Sequence, residues 1–360
     1  MAAYTTINKP SLHFNTKLFT GNGSNDHAIT GVGFQPDWVW IKSRANTYDH
    51  MIHDVVRGQY KNIRSNLTNA EGTDTSGVKS FDTDGFTTNN GGYTNGNGVN
   101  FASWNWKAGN SQGSSNTDGS INTTYTSANT TAGFSISKYT GTGSNATVGH
   151  GLGVRPDLVF TKRLDTTANW VVMSVGSSNS APYQTIGSND SNLGLNLTRQ
   201  VSGSEAVGDN RLSTNSSNTI YNIGNDASIN ASGGTYIAYY FAGKRGYSKF
   251  GNYTGNGNAD GTFIYTGFKP AWIMAKKSNS TGNWVIVDTK RDGYNGANDT
   301  LQANVTDAEG GGNRFDIVSN GFKARSTSAY SNSSGDTFIY MAFAEAPLVD
   351  STGKIPATAR

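Results

Sequence analysis

The strongest constraint on this chain is that its sequence repeats itself three times. Gly33-Phe-Gln-Pro-Asp-Trp-Val-Trp-Ile-Lys42, Gly153-Val-Arg-Pro-Asp-Leu-Val-Phe-Thr-Lys162 and Gly267-Phe-Lys-Pro-Ala-Trp-Ile-Met-Ala-Lys276 share one pattern: glycine, an apolar residue, any residue, proline, then an apolar run ending in lysine. Upstream lie Phe19-Thr-Gly-Asn-Gly23, Tyr139-Thr-Gly-Thr-Gly143 and Tyr253-Thr-Gly-Asn-Gly257, whose aromatic precedes Pro36, Pro156 and Pro270 by 17 residues each time. Downstream, His50, Trp170 and Trp284 fall 14 residues after the proline, and Asp54, Ser174 and Asp288 fall 18 after it. Triplication at this fidelity means one structural unit built three times.

Each copy ends on a strand-like segment: Phe101–Lys107, Tyr236–Ala242 and Phe338–Ala344. With a period of two, Ala102, Trp104 and Trp106 share a face, as do Ile237, Tyr239 and Phe241, and Ile339, Met341 and Phe343; these sets are expected to point inward. The run after the repeated proline is apolar on both faces (Trp38 and Trp40 against Val39 and Ile41), so a central strand covered on both sides is expected. Proline at its first residue costs no ladder bond, and the preceding glycine suits a turn. Asp84-Gly85 and Asn320-Gly321 read as two-residue hairpin turns with positive φ. The expected fold is all-β: three tandem antiparallel β-sandwich modules of jelly-roll or concanavalin-like type. Residues 1–110 form the first with a short N-terminal arm, 111–131 a Gly/Ser/Asn/Thr-rich flexible linker, 132–245 the second, 246–347 the third and 348–360 a tail.

Composition agrees. Hydrophobic residues make up 34% and charged ones 15% of 360, against typical values of about 45–50% and 25%. The difference goes into 45 glycines and into Asn, Ser and Thr, while 17 Tyr, 16 Phe and 7 Trp supply a core that a disordered chain would lack. A net charge of +3 with no basic block argues against a nucleic-acid partner. Cysteine is absent, which excludes disulfides and thiolate chemistry. No run approaches the roughly 18 apolar residues of a membrane span, and the first residues have no signal-peptide pattern, so neither membrane insertion nor cleaved-signal secretion is expected.

Catalytic chemistry finds little support. Asp54 and Asp288 are each followed three residues later by Arg57 and Arg291, and a glycosidase needs paired carboxyls. A duplicated Asp-x-x-Arg is read here as an ion pair or turn constraint, and Glu71 and Glu309 as loop anchors. His50 and His53 are three apart, which on a strand places them on opposite faces. His50 also stands where the other copies have tryptophan, so it is read as replacing a packed aromatic rather than as a metal ligand. Asp82-Thr-Asp84-Gly85 lacks the remaining ligands of a calcium loop, and no Gly-x-Ser-x-Gly elbow is present. No cofactor and no metal are expected. Tyr48, Tyr93, Tyr294 and Tyr330 lie in polar, turn-like stretches and are the candidates for stacking on a glycan ring. Gly33, Pro36, Trp38, Gly153, Pro156, Gly267, Pro270 and Trp272, with the two Asp/Arg pairs, form the structural signature.

The Tyr-Thr-Gly-Asn-Gly and Gly-Phe-x-Pro-x-Trp motifs, the stretch Asn116-Thr-Asp-Gly-Ser-Ile121 with Ala132-Gly-Phe-Ser-Ile136 and Val148-Gly-His-Gly-Leu152, and the ending Phe343-Ala-Glu-Ala-Pro347 resemble a family of proteins common in marine and freshwater tailed bacteriophages. The resemblance covers nearly the whole chain. It implies concanavalin-type lectin or glucanase sandwiches and a virion or tail-fibre component. This chain departs from it at Asn105 and Tyr240, where family members often carry cysteine. The resulting expectation is a non-enzymatic virion protein, made in the host cytoplasm and extracellular after lysis. It would be tail-fibre or tail-associated, contact host glycans, bind other virion proteins, and form a homo-oligomer with a trimer favoured. The alternatives are a capsid-decoration or head-fibre protein, a polysaccharide depolymerase, and a surface lectin encoded by a prophage.

Overall fold

A computed structural model describes residues 4–174, 192–201, 216–291, 295 and 299–354. It is nearly all β, and every named strand pairing is antiparallel. Among the described residues no helix is long and apolar enough to cross a membrane.

Three large sheets carry the fold. The first runs Phe14–Thr20, Asn100–Trp106, Trp38–Ser43, Met51–Asp54, Lys61–Arg64 and Gly72–Thr73 in spatial order. The third repeats that order with Ser248–Thr254, Thr337–Pro347, Phe268–Lys277, Trp284–Asp288, Asp299–Gln302 and Gly310–Gly311. The second has Phe134–Thr140, Thr235–Phe241, Leu158–Arg163 and Val171–Ser174 in the same sequence, with Tyr125–Asn129 added at its edge. The strand after the repeated proline is thus central, hydrogen-bonded to the closing strand of its own copy. Trp38 pairs with Trp106, Leu158 with Phe241 and Trp272 with Phe343.

The period-two faces fall as expected. Trp104 and Trp106, Tyr239 and Phe241, and Met341 and Phe343 all join one central core that also holds Trp38, Phe134 and Trp272. The Trp38 ring lies 4.4 Å from Trp106 within the first sheet, and contacts cross every sheet boundary: Trp38 lies 5.8 Å from Phe241, Trp106 lies 5.6 Å from Phe343, and Phe241 lies 6.2 Å from Phe343. All seven tryptophans are fully buried. Aromatics suit this centre because each removes about 150–250 Å² from water, which lets a sequence poor in leucine fill a wide space. The opposite face of each large sheet is buried too, over a separate apolar cluster beneath a small sheet. His27–Thr30, Gly85–Thr88 and Val78–Asp82 cover the first, Ala146–Gly149 with Ile220–Ile223 the second, and Phe263–Tyr265, Gly321–Ala324 and Phe315–Val318 the third.

Two expectations need correction. Residues 111–131 are not a flexible linker: Tyr125–Asn129 is a strand of the second sheet, Ser114 bridges Thr126, and the Asn110 N–H donates to Asp37 at 2.9 Å. Short hydroxyl and amide side chains that resemble a linker by composition here bond to nearby backbone. The hairpin turns also sit one residue earlier than expected. Asp82 pairs with Gly85 and Val318 with Gly321, so the loops are Thr83-Asp84 and Ser319-Asn320. Glycine is required there for closeness, since a Cβ on Gly85 or Gly321 would lie 1.9 or 2.0 Å from the carbonyl oxygen of Ile29 or Ile264. In the repeated Thr-Gly-x-Gly loops the first glycine meets the same demand. A Cβ on Gly21, Gly141 or Gly255 would come within 2.3–2.4 Å of a backbone oxygen.

Candidate functional site

The three copies meet head to tail, and equivalent residues build each junction. Eight positions past the repeated proline, the carbonyls of Leu164, Ser278 and Arg44 accept backbone N–H bonds from Glu71, Val201 and Glu309 of the neighbouring copy, at 2.9, 2.7 and 2.7 Å. Trp170 Nε1 donates to the Arg64 carbonyl at 2.8 Å and Trp284 Nε1 to that of Gly194 at 2.9 Å. His50 Nε2 lies 3.0 Å from the Gln302 carbonyl, which closes the ring. Because Trp40 Nε1 donates to His50 Nδ1 at 2.9 Å, the hydrogen of this imidazole sits on Nε2, and His50 makes the bond that an indole makes in the other copies. Burial, together with Lys42 and Arg291, holds its pKa well below the usual histidine value.

Asp54 and Asp288 lie at these junctions, 0% and 1% exposed. Asp54 accepts from the Arg57 backbone N–H at 2.8 Å and its Nε at 2.5 Å; Asp288 does the same with Arg291 at 3.0 and 2.6 Å. The neighbouring copy supplies a further donor to each carboxylate: Tyr239 Oη to Asp54 at 2.7 Å, and Trp104 Nε1 to Asp288 at 3.0 Å. Copy two has Ser174 where the others have aspartate, and copy three supplies Met341, which has no donor. Burial raises the Asp288 carboxyl, but Arg291 and the Trp104 N–H outweigh it and hold the group below the ordinary carboxylate range. Glu309 pairs with Arg291 at 2.8 Å, and Glu71 lies 3.7 Å from Arg57. These acids are spent on charge pairing and on tying the turn that follows the strand.

One junction departs from the other two. The carbonyls of Thr68 and Thr198 each accept a backbone N–H, from Ala168 at 2.9 Å and Gly282 at 2.8 Å, and a buried ammonium, Lys162 or Lys276, at 3.2 Å. Between copies three and one, Tyr48 N and Lys42 Nζ turn instead to the Asn46 carbonyl, at 2.8 and 3.0 Å. Burial pulls the Lys42 ammonium down to about 8, against the pull of Asp307, Asp49 and Glu309. Next to this turn, the Tyr48 and Tyr93 rings lie 5.2 Å apart, and the Arg64 guanidinium sits 5.4 Å from the Tyr93 ring centre. Arg64 pairs with Asp49 at 3.1 Å. Asn66 bonds Asp49 at 2.7 Å just as Asn196 bonds Asn169 and Asn304 bonds Asn283, so copy one has put a carboxylate where the others have an amide. The group combines a partly exposed aromatic surface with a carboxylate and a guanidinium, which suits hydroxyl-rich rings.

Of the four candidate tyrosines, the structure brings Tyr48 and Tyr93 together. Tyr330 is 37% exposed at the position in copy three that corresponds to Tyr93, and Tyr294 lies outside the described residues. Among the signature residues, Gly33, Gly153 and Gly267 have φ of 91°, 69° and 84°, which explains the glycine before each proline strand. Three residues of the scaffold escaped the sequence reading. Asn95, Asn230 and Asn332 are fully buried, and their Oδ1 atoms accept from Asn22, Thr142 and Asn256 at 2.9, 2.7 and 3.0 Å, clamping the Thr-Gly-x-Gly loops. Each stands six residues before the first aromatic of its closing strand, a spacing visible in the sequence. Asp37 was also passed over. Burial pushes its carboxyl up to about 6, against amide bonds from Asn110 and Ala108.

A family model described as a domain of unknown function (DUF7483) matches residues 9–347. No curated protein and no solved structure matches the chain.

Proposed function

Since the chain belongs to the DUF7483 family, we propose that it is a non-enzymatic structural and adhesion protein that contacts glycans through the copy-one loop cluster of Tyr48, Tyr93, Asp49 and Arg64. The observation that carries this reading is a contrast. The cluster reaches the surface through Tyr93, 40% exposed, and the half-buried Tyr48 and Arg64, whereas Asp54 and Asp288, the carboxylates that would serve hydrolysis, are fully buried in ion pairs. In the finer reading, the three large sheets with their small covers are three tandem β-sandwich modules of jelly-roll or concanavalin type. The virion setting rests on the resemblance of the signature motifs to tailed-phage proteins. On that reading the proposed location is a tail or tail fibre, among other virion proteins, with the chain as a homo-oligomer, a trimer first.

Glycan-array binding by the purified chain, compared with Tyr48→Ala and Tyr93→Ala, tests the contact. Retained binding in both variants would remove the site, and an empty array would remove the function. Gold-labelled antibody on intact particles tests the setting, and label confined to the head would move the protein to a decoration or head-fibre role. Shortening of a host polysaccharide that disappears in Asp54→Asn with Asp288→Asn would make it a depolymerase instead.

A further inference from the structure

Copy three holds a cation, Arg314, that has no ion-pair partner among the described residues. Arg314 lines a recess of about 140 Å³ with Thr300, Gln302, Asp307, Gly310 and Gly311. Its guanidinium carbon lies 5.9 Å from the Tyr330 ring centre, and its Nε is buried without a hydrogen-bond partner. The surrounding guanidiniums are all paired: Arg291 with Asp288 and Glu309, Arg44 with Glu309 and Asp299, and Arg325 with Asp316 and Asp260. Among the described residues no carboxylate lies within ion-pair distance of Arg314. The chain folds closely round it, since a Cβ on Gly312 would meet the guanidinium at 3.3 Å. Copy one has Gly77 at the corresponding position, just before Val78 as Arg314 is before Phe315, so this charge is no part of the common scaffold.

Holding a partly buried guanidinium without a counter-charge is costly unless a ligand supplies one. We infer that the recess binds the carboxylate or sulfate of an acidic sugar, with Arg314 taking the oxyanion. This rests on the glycan-contact reading and names the class of glycan. Volume and charge narrow the choice. A cavity of about 150 Å³ accommodates a benzene-sized ring, so the recess has room for the charged group and part of one sugar residue, with the rest of the saccharide lying outside it. Asp307, exposed on the same recess, disfavours a small multiply charged anion but accepts from sugar hydroxyls. The planar fork of arginine matches a two-oxygen acceptor, which an ammonium would meet only as a point charge.

The test is isothermal titration of the full chain with three tetrasaccharides, one uronic-acid, one sulfated and one neutral, the neutral and uronic chains sharing a linkage. Acidic chains are expected to bind roughly tenfold or more tighter than the neutral one, with that margin lost in Arg314→Gln and only partly restored in Arg314→Lys. Asp307→Asn is expected to tighten acidic binding, an effect that a merely structural role for Arg314 would not produce. Circular dichroism should match wild type and the melting temperature should not fall in Arg314→Gln, because the substitution removes an uncompensated, partly buried charge and no ion pair among the described residues. Preference for the uronic or for the sulfated chain identifies which oxyanion is the ligand. Equal affinity for neutral and acidic chains, or acidic binding unchanged in Arg314→Gln but abolished in Tyr93→Ala, overturns the inference and leaves the glycan-contact reading standing. Uptake of none of the three overturns this inference, and the glycan array then decides the broader reading separately.

Discussion

His50 in the first copy and Gln302 in the third, 252 residues apart, are joined by a bond of 3.0 Å at the junction where the ring of repeats closes. The equivalent junctions use the larger Trp170 and Trp284, and the difference in volume is taken up one strand away. Copy one has Trp40 where copies two and three have Phe160 and Met274. The rings of Trp40 and His50 meet edge to face at 5.7 Å, so the bulk has moved from one strand to its neighbour while the donor to the next copy is kept.

His50→Trp alone should therefore overpack the junction and destabilise it by about 1–3 kcal/mol. Trp40→Met with His50→Trp should restore most of that loss. Urea unfolding of the three proteins checks it, and a single variant as stable as wild type would remove the volume argument.

Stability should fall in mild acid because of the buried histidines. Burial, then Arg57, lowers His53 to about 3, and His50 is also strongly lowered. Below the unfolded value of about 6.5 the unfolded chain takes up protons that the folded chain refuses, so stability is present above that pH and is lost as pH falls toward 3. Asp37, raised to about 6, works in the opposite direction between about 6 and its unfolded value. The clean measurement is a difference. The drop in melting temperature from pH 7.5 to pH 5 should be smaller in the Trp40→Met, His50→Trp double variant, and an equal drop would exclude His50 as a contributor.

Removing the donors to the junction carboxylates should be costly. Tyr239→Phe and Trp104→Phe each leave a buried carboxylate one bond short, at about 1–3 kcal/mol. Met341→Leu, at the position in copy three where no donor exists, should cost less than about 1.5 kcal/mol. Chemical denaturation ranks the three, and a methionine variant as damaging as the other two would refute the assigned roles.

The ring should unfold as one body. Each large sheet contributes its inner face to the same central core, so a fragment such as residues 1–110 would expose Trp38 and Trp106. Calorimetry should give a single transition with matching calorimetric and van't Hoff enthalpies, and the fragment should aggregate. Three resolved transitions would show independent units.

Gly85→Ala and Gly321→Ala should each destabilise strongly, because the added methyl meets backbone that cannot rotate away. Gly58→Ala, where nothing lies within 4 Å, should show only the smaller cost of its φ of 91°. Melting temperatures of the three variants check the order.

Much of this was legible in the residues themselves. The alternation that put Trp104, Tyr239 and Met341 inward, the central place of the proline strand, and the reading of Asp54–Arg57 and Asp288–Arg291 as ion pairs all follow from spacing and chemical type, which act locally. The candidate site was legible only in part. Tyr48 and Tyr93 could be named but not paired, because their meeting depends on how a loop and a short helical turn from separate stretches pack. Arg314 gave no local signal at all, since what distinguishes it is that no carboxylate among the described residues comes within ion-pair distance of it.

The order of residues, then, determined which side chains each strand turns inward and which loops demand glycine, because those choices are governed by pleat and steric contact within a few residues. Only the tertiary structure decided that three sheets share one aromatic centre, that His50 stands in for an indole against Gln302, and that Tyr48 meets Tyr93 beside one junction. Such outcomes depend on volumes and charges meeting across hundreds of residues, where complementarity between surfaces, rather than the period of any segment, determines the arrangement of lowest free energy.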